Sequence, residues 1–184
     1  VVGVEQISVI TAVHHPLRRR IVDHLVLHDT AQVTVLARRL DAQVGSISHH
    51  LRMLERAGVV ERAEAPDGDR RASWWRLARR GFTWSADDFA DSPADALLAR
   101  EAERQNIRAQ IERLQRARRR PSAETPGYDA FSTDTLAWAT PGELAALGDR
   151  INAVVRDWAH DIDRGDGRER IPVFFFAHGF PTEG

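Results

Sequence analysis

Apolar residues recur at helical spacing through most of the first 60 positions. Ile7, Ile10 and Val13 predict a short helix over 5–13. Pro16 opens a second helix, since proline suits a first turn, and Leu17, Ile21, Val22, Leu25 and Val26 are its apolar positions at helical spacing. A polar break at Asp29-Thr30 precedes a third helix, with Thr34 as its cap and Val35, Leu36 and Leu40 on its inner face. Asp41-Ala42-Gln43 is a tight connection. A fourth helix then runs from about Val44 to Ala57, where Gly58 ends it.

The period then changes from helical to alternating. Val59–Ala65 and Arg71–Leu77 read as two strands around the turn Pro66-Asp67-Gly68-Asp69. From Ser92-Pro93 the pattern is helical again to about Arg119. Ile107, Ile111 and Leu114 there keep a four-then-three spacing, while Arg100 and Arg104 interrupt the seam upstream. Pro121–Gly127 is a linker. Beyond it a strand is expected over 130–138. A helix starts at Thr140-Pro141 with Glu143 and carries Leu144, Leu147, Ile151, Val154, Trp158 and Ile162. A second strand is expected over Ile171–Phe180, apolar on both faces.

Composition narrows the classes. There is no cysteine among the 184 residues, so disulfides and thiolate metal sites are excluded. No apolar run approaches the ~18 to 20 residues of a transmembrane helix, so no membrane partner is expected and the reading is cytoplasmic. Residues 1–80 hold 13 Arg against 9 Asp and Glu, a net +4, and residues 81–184 hold 13 Arg against 18, a net −5. A basic front and an acidic back suit a protein whose first half meets a polyanion. Enzyme chemistry finds no footing. There is no Gly-rich phosphate loop and no nucleophile motif, and the acidic pairs Asp87-Asp88 and Asp161/Asp163 read as solvated surface.

The most specific stretch is Ser46-Ile47-Ser48-His49-His50-Leu51-Arg52-Met53-Leu54-Glu55-Arg56-Ala57-Gly58-Val59-Val60. At 100° per residue Ile47, Leu51 and Leu54 share the core side. Gly45, His49, Arg52 and Arg56 share the opposite side, with Ser46 and Ser48 at its edges. Small residues let a helix start approach DNA closely, and His and Arg donate to base edges or phosphates. Taken alone this is an ordinary amphipathic helix. Preceded by a short helix and a tight turn and followed by a basic hairpin, it has the layout of a winged helix-turn-helix.

This run resembles the recognition helix of the ArsR family. His15-Pro16-Leu17-Arg18 resembles the start of that family's early helix, so the resemblance covers about residues 7–80. It implies a homodimer on an inverted-repeat operator in double-stranded DNA, most often as a repressor relieved by an inducer. Carried onto this chain, it makes Ser46, Ser48, His49, His50 and Arg52 the DNA-reading positions, with Gln43 at the turn. Arg70 and Arg71, beside the hairpin turn, are candidates for phosphate or minor-groove contact. Asp69-Arg70-Arg71, with Leu77 and Gly81, also resembles the wing of the MarR family, which is the alternative. The chain departs from the metal-sensing ArsR members. Its third helix lacks their cysteine pair and its long helix has no histidine. His24 and His28 have chelating i, i+4 spacing but no third ligand nearby in sequence. No metal and no cofactor are expected.

These readings combine into a mainly α fold with small β (α+β): a winged helix-turn-helix over 1–82, a linker and long dimerisation helix over 83–121, and a strand-helix-strand unit over 122–184. Alternation along the wing places Trp75 inside with Leu77 and Trp74 outward. The last unit is expected to dimerise. A small-molecule effector pocket built from Trp74, Trp138, Trp158, Phe174 and Phe176 is its second candidate role. The competing function class is a protein-interaction or architectural module that uses winged helices without sequence-specific DNA reading.

Overall fold

The computed structural model describes residues 2–3, 7–65, 73–78, 82–83, 89, 91–119 and 124–183. The chain divides into two units, Val1–Arg119 and Arg120–Gly184. The first unit begins with strand β1 (Val2–Gly3), helix α1 (Ile7–Val13) and helix α2 (Pro16–His28). The break between the helices falls at His14-His15, where Pro16 resets the chain at a first helical turn. Strand β2 (Thr30–Gln32) and helix α3 (Val33–Leu40) follow. The third helix starts one residue before Thr34, and Gln32 holds the cap position rather than Thr34. The three residues ahead of it are drawn into the sheet, which moves the helix start. So short a strand carries too little alternation to be read from sequence.

Helix α4 (Val44–Arg56) is joined to α3 by the turn 41–43. Asp41 adopts a left-handed conformation (φ 50°), tolerated by a short polar side chain, and the Ala42 N–H donates to the Ala37 carbonyl at 2.9 Å. Strands β3 (Val60–Ala63) and β4 (Trp74–Leu77) form the wing hairpin. Strand β2 pairs with the free edge of β4, giving an antiparallel sheet of order β2-β4-β3 with Ala31 opposite Trp75 and Arg62 opposite Trp75 on the other side. Strand β5 (Phe82–Thr83) pairs in parallel with β1.

One core lies under these elements. Ile21, Leu36, Ile47, Leu51, Leu54 and Val59 are completely buried in it, and Trp75 at 1% exposure closes it from the sheet side. Alternation had set Trp75 inward, and its ring also carries the Arg62 guanidinium at 4.0 Å from its centroid. Helix α5 (Pro93–Arg118) packs its first half against α1, where Ile10, Phe89, Ala99 and Ala102 form a second small cluster. Ser92 caps α5, accepting from the Asp95 N–H. Among the described residues no helix is long and apolar enough to cross a membrane.

The second unit corrects an expectation. Its helix α6 (Pro141–His160) starts where the sequence placed it, with a full capping box between Thr140 and Glu143. The flanking strands expected over 130–138 and 171–180 are not formed: among described residues of this unit α6 is the single regular element. The reason is that a strand is a pairing, not a property of one segment. Both stretches have strand-forming composition, but among the described residues no strand ladder joins them, and Pro172 and Pro181 remove donors at the ends of the second. The second stretch does meet the start of α6 at Gly179, where a Cβ would come within 2.9 Å of Leu144 Cδ1. After α6, Asp166 organises the turn. It accepts from both Arg170 Nη atoms at 2.6 Å and from the Arg168 N–H, and these bonds hold its carboxyl at about 2.

Candidate nucleic-acid interface

Helix α4 is anchored from one side only. Ile47, Leu51 and Leu54, at three- and four-residue intervals, are each 0% exposed. Their burial fixes the rotation of the helix about its axis and therefore decides which residues face out. Gly45, His49, Arg52 and Arg56 are all exposed and lie within about 60° on the wheel. The Arg52 Nε–H donates to the Ser48 carbonyl one turn back at 3.2 Å, which lays the guanidinium along the helix. Ser46 and Ser48 are half-buried at the flanks.

The N-terminus of α4 is open. Gln43 holds the cap position with extended backbone, its side chain is exposed, and it makes no capping hydrogen bond. The first-turn N–H groups of an uncapped helix are suited to an anion such as a phosphate oxygen. Gly45 in that first turn has nothing within 4 Å of where a Cβ would stand.

His50 sits differently from the other motif residues. It is half-buried on the flank of α4, with its ring 4.7 Å from that of His15 and 5.4 Å from that of His49. Burial first, then the charges of His15, Arg18 and His49, hold its imidazole below the usual histidine range. The family resemblance set His50 among the DNA-reading positions, and the sequence assigned His15 no role beyond the start of the early helix. The signal that pairs them is tertiary, because the two histidines stand 35 positions apart in the sequence.

The other expected residues scatter. Arg70 and Arg71 lie outside the described residues. Trp74 is partly exposed on the outer side of β4, beside Arg76, which pairs with Glu61 at 2.7 Å. Trp138 is 99% exposed and Trp158 50%, so neither is enclosed as a pocket wall would be. Phe174 and Phe176 do meet each other, with ring centroids 5.9 Å apart. Sequence reasoning also passed over Arg38 and Arg39, an exposed basic pair in the last turn of α3, one tight turn before α4.

Residues 13–63, which span α2 through β3, match the model of a family described as a helix-turn-helix domain. No curated protein matches the chain in sequence. Similar solved structures include a mutant of Lactococcus lactis ZitR in apo form, 11% identical over 79% of this chain and 83% of that one, with a TM-score of 0.35. Another is Streptococcus pneumoniae FabT in complex with DNA, 16% identical over 71% of this chain and 65% of that one, with a TM-score of 0.25. The family match and the geometry of α2 through β4 together establish a winged helix-turn-helix domain of the kind DNA-binding transcriptional regulators use.

Proposed function

We propose that the chain is a sequence-specific DNA-binding transcriptional regulator, a homodimeric repressor of the ArsR type that is not a thiolate metal sensor. One observation carries this reading: the exposed stripe Gly45, His49, Arg52 and Arg56 stands opposite three completely buried residues on a helix with an open N-terminus. In this reading α4 enters the major groove of double-stranded DNA. His49 and Arg52 address base edges, while Gln43, Gly45, Ser46 and Ser48 bring the backbone close to phosphate. Arg56 contacts phosphate from the far end, and His50 sets the angle of the helix through His15. Arg70 and Arg71 of the wing, with Arg38 and Arg39, extend the contact along the backbone.

Helix α5 supports the homodimer through an exposed apolar strip. Its inner face is used by α1 and α2, yet Ile111 and Leu114 remain 45% and 42% exposed on an adjoining strip with Ile107. A second α5 covers that strip and spaces two α4 helices for an inverted repeat.

The test is selection of bound duplexes from a random pool, followed by fluorescence anisotropy on the recovered site at moderate salt. The expected site is a short inverted repeat, and H49A and R52A each weaken its binding by about ten-fold or more while barely changing binding to random DNA. Binding that is uniform across sequences and indifferent to both substitutions would replace this reading with the protein-interaction module.

A further inference from the structure

Arg18 carries a full charge into the interior of the first unit. It is 8% exposed, and among the described residues no carboxylate pairs with it. Its Nε–H and Nη2–H groups donate to the Ala12 and Thr11 carbonyls at 2.5 and 3.0 Å, and Nη1 reaches the Met53 thioether at 3.5 Å. A thioether is a weak acceptor. The end of α1 that supplies the two carbonyls carries about half a negative charge, so it offsets part of the cation and not the whole. A buried charge in that state is costly until something completes its pairing.

An open cavity of about 260 Å³ lies beside this guanidinium, lined by Thr11 and Ala12 of α1, Arg18 of α2, and Met53, Arg56 and Ala57 at the end of α4. Arg56 brings a second guanidinium, exposed and also without a carboxylate partner among the described residues. No acidic side chain lines the cavity, while Ala12, Ala57 and Met53 add methyl and thioether surface. A larger cavity of about 360 Å³, between Arg18 and α5, is lined by Glu101 as well, whose carboxylate opposes an anion. Two cations beside an apolar wall fit an organic carboxylate, its oxygens on the guanidinium groups and its body against the wall. The smaller volume falls below the ~300–1,000 Å³ of drug-sized sites, which restricts the occupant to a small molecule with one carboxylate.

We propose that the cavity between α1 and the end of α4 binds a small organic monocarboxylate, with Arg18 at its buried end and Arg56 at its mouth. The site deepens the regulatory reading above and rests on it for one consequence. Arg56 contacts phosphate in that reading, so a bound carboxylate takes that cation from the duplex. DNA and ligand then weaken each other by the same factor.

Met53 is the single methionine of the sequence, so an isotope-labelled methionine methyl group puts one NMR signal in the wall of the cavity. Met53→Leu identifies that signal by removing it. The probes are sodium benzoate, its neutral isostere benzamide and inorganic phosphate, each added to the full chain at constant ionic strength. The expected result is a saturable shift of the Met53 signal with benzoate, none with phosphate, and binding of benzamide weaker by about ten-fold or more. Arg56→Gln is expected to weaken benzoate by about five-fold or more at an unchanged urea midpoint, and the exposed Arg100→Gln on α5 to leave it unchanged. Arg18→Lys, which keeps the charge and loses the fork, weakens it as well. Absence of a saturable shift overturns the proposal, as does benzamide or phosphate binding as tightly as benzoate. Benzoate binding indifferent to Arg56→Gln overturns it too. On the selected DNA site, saturating benzoate is expected to weaken binding about three-fold or more relative to equal sodium chloride, and to have no effect on Arg56→Gln. Benzoate that binds the chain and leaves its DNA affinity unchanged overturns the shared use of Arg56. Anisotropy with H49A in the absence of benzoate decides the DNA reading independently.

Discussion

The imidazole of His50 on α4 lies against that of His15 at the start of α2, and the Nδ1 atoms of both are buried without a hydrogen-bond partner among the described residues. Two neutral rings tolerate this contact. A proton on either puts a charge beside the other ring and beside Arg18, which is why burial and then that guanidinium hold His15 below the usual range as they do His50. His24 is lowered in the same direction, by burial, then His28 and Arg39, and His14 is lowered to about 4 by burial and then Arg19. Each depressed histidine binds its proton more weakly folded than unfolded. Between the folded value and about 6.5 the unfolded chain therefore carries more protons, so stability rises with pH through that window and is lost on acidification. For His14 the window runs from about 4 to 6.5. The urea midpoint is expected to fall from pH 7 to pH 5, with the fall visibly reduced in His15→Asn. An equal midpoint at both pH values would remove the packing argument.

Gly45 separates folding from binding. Its Cβ position is open, and glycine inside a helix costs up to about 1 kcal/mol relative to alanine. Gly45→Ala is therefore expected to raise the denaturation midpoint slightly, and Gly45→Leu not to lower it by more than a few tenths of a kcal/mol. If the start of α4 lies against DNA, both variants bind the operator more weakly, leucine more than alanine. A leucine variant of unchanged affinity would place Gly45 away from the duplex.

The positions of α1, α2, α4, α5 and α6 were legible because each carries its own apolar stripe and an end signal: Pro16, Gly58, Ser92-Pro93, Thr140-Pro141. The exposed side of α4 was legible for the same reason, since Ile47, Leu51 and Leu54 fix what faces out. Strand β2 was not, because Thr30–Gln32 earns its structure from the edge of β4 rather than from its own three residues. The partnership of His50 with His15 was equally hidden. Over 130–138 and 171–180 composition spoke for strands, but strand structure needs a ladder of backbone bonds, and none is formed there among the described residues.

Arg18 is the one buried charged side chain in the described core, 8% exposed. Its Nε–H and Nη2–H groups donate to the carbonyls of Ala12 and Thr11, in the last turn of α1, and Nη1 reaches Met53 Sδ of α4 at 3.5 Å. One guanidinium thus satisfies open carbonyls at a helix end and joins α1, α2 and α4. Arg18→Ala leaves two acceptors without donors and is expected to cost about 2–4 kcal/mol. Arg18→Lys restores the charge but not the fork and is expected to recover less than half. Urea unfolding of the two variants measures this; a lysine variant as stable as the parent would mean that charge alone is used.

Asp23 on α2 receives two guanidinium groups, Arg19 from one turn back at 3.3 Å and Arg113 from α5. Arg19 also donates to the Asn106 side chain of α5 at 3.2 Å. The first half of α5 is held by apolar packing of Ala99 and Ala102 against Ile10, whereas these polar links fall at Asn106 and beyond. Asp23→Asn removes the shared anion and leaves two cations facing each other. Because all three groups are about a quarter to a third exposed, the expected loss is modest, about 0.5–1.5 kcal/mol, and shrinks in 1 M salt. The loss is also local. Hydrogen exchange should quicken over the stretch from Asn106 to Arg116 and stay unchanged around Ala99, since salt and substitution act on the ionic half of the contact alone. Uniform quickening along α5 would mean that the apolar cluster and the ion pairs open as one unit.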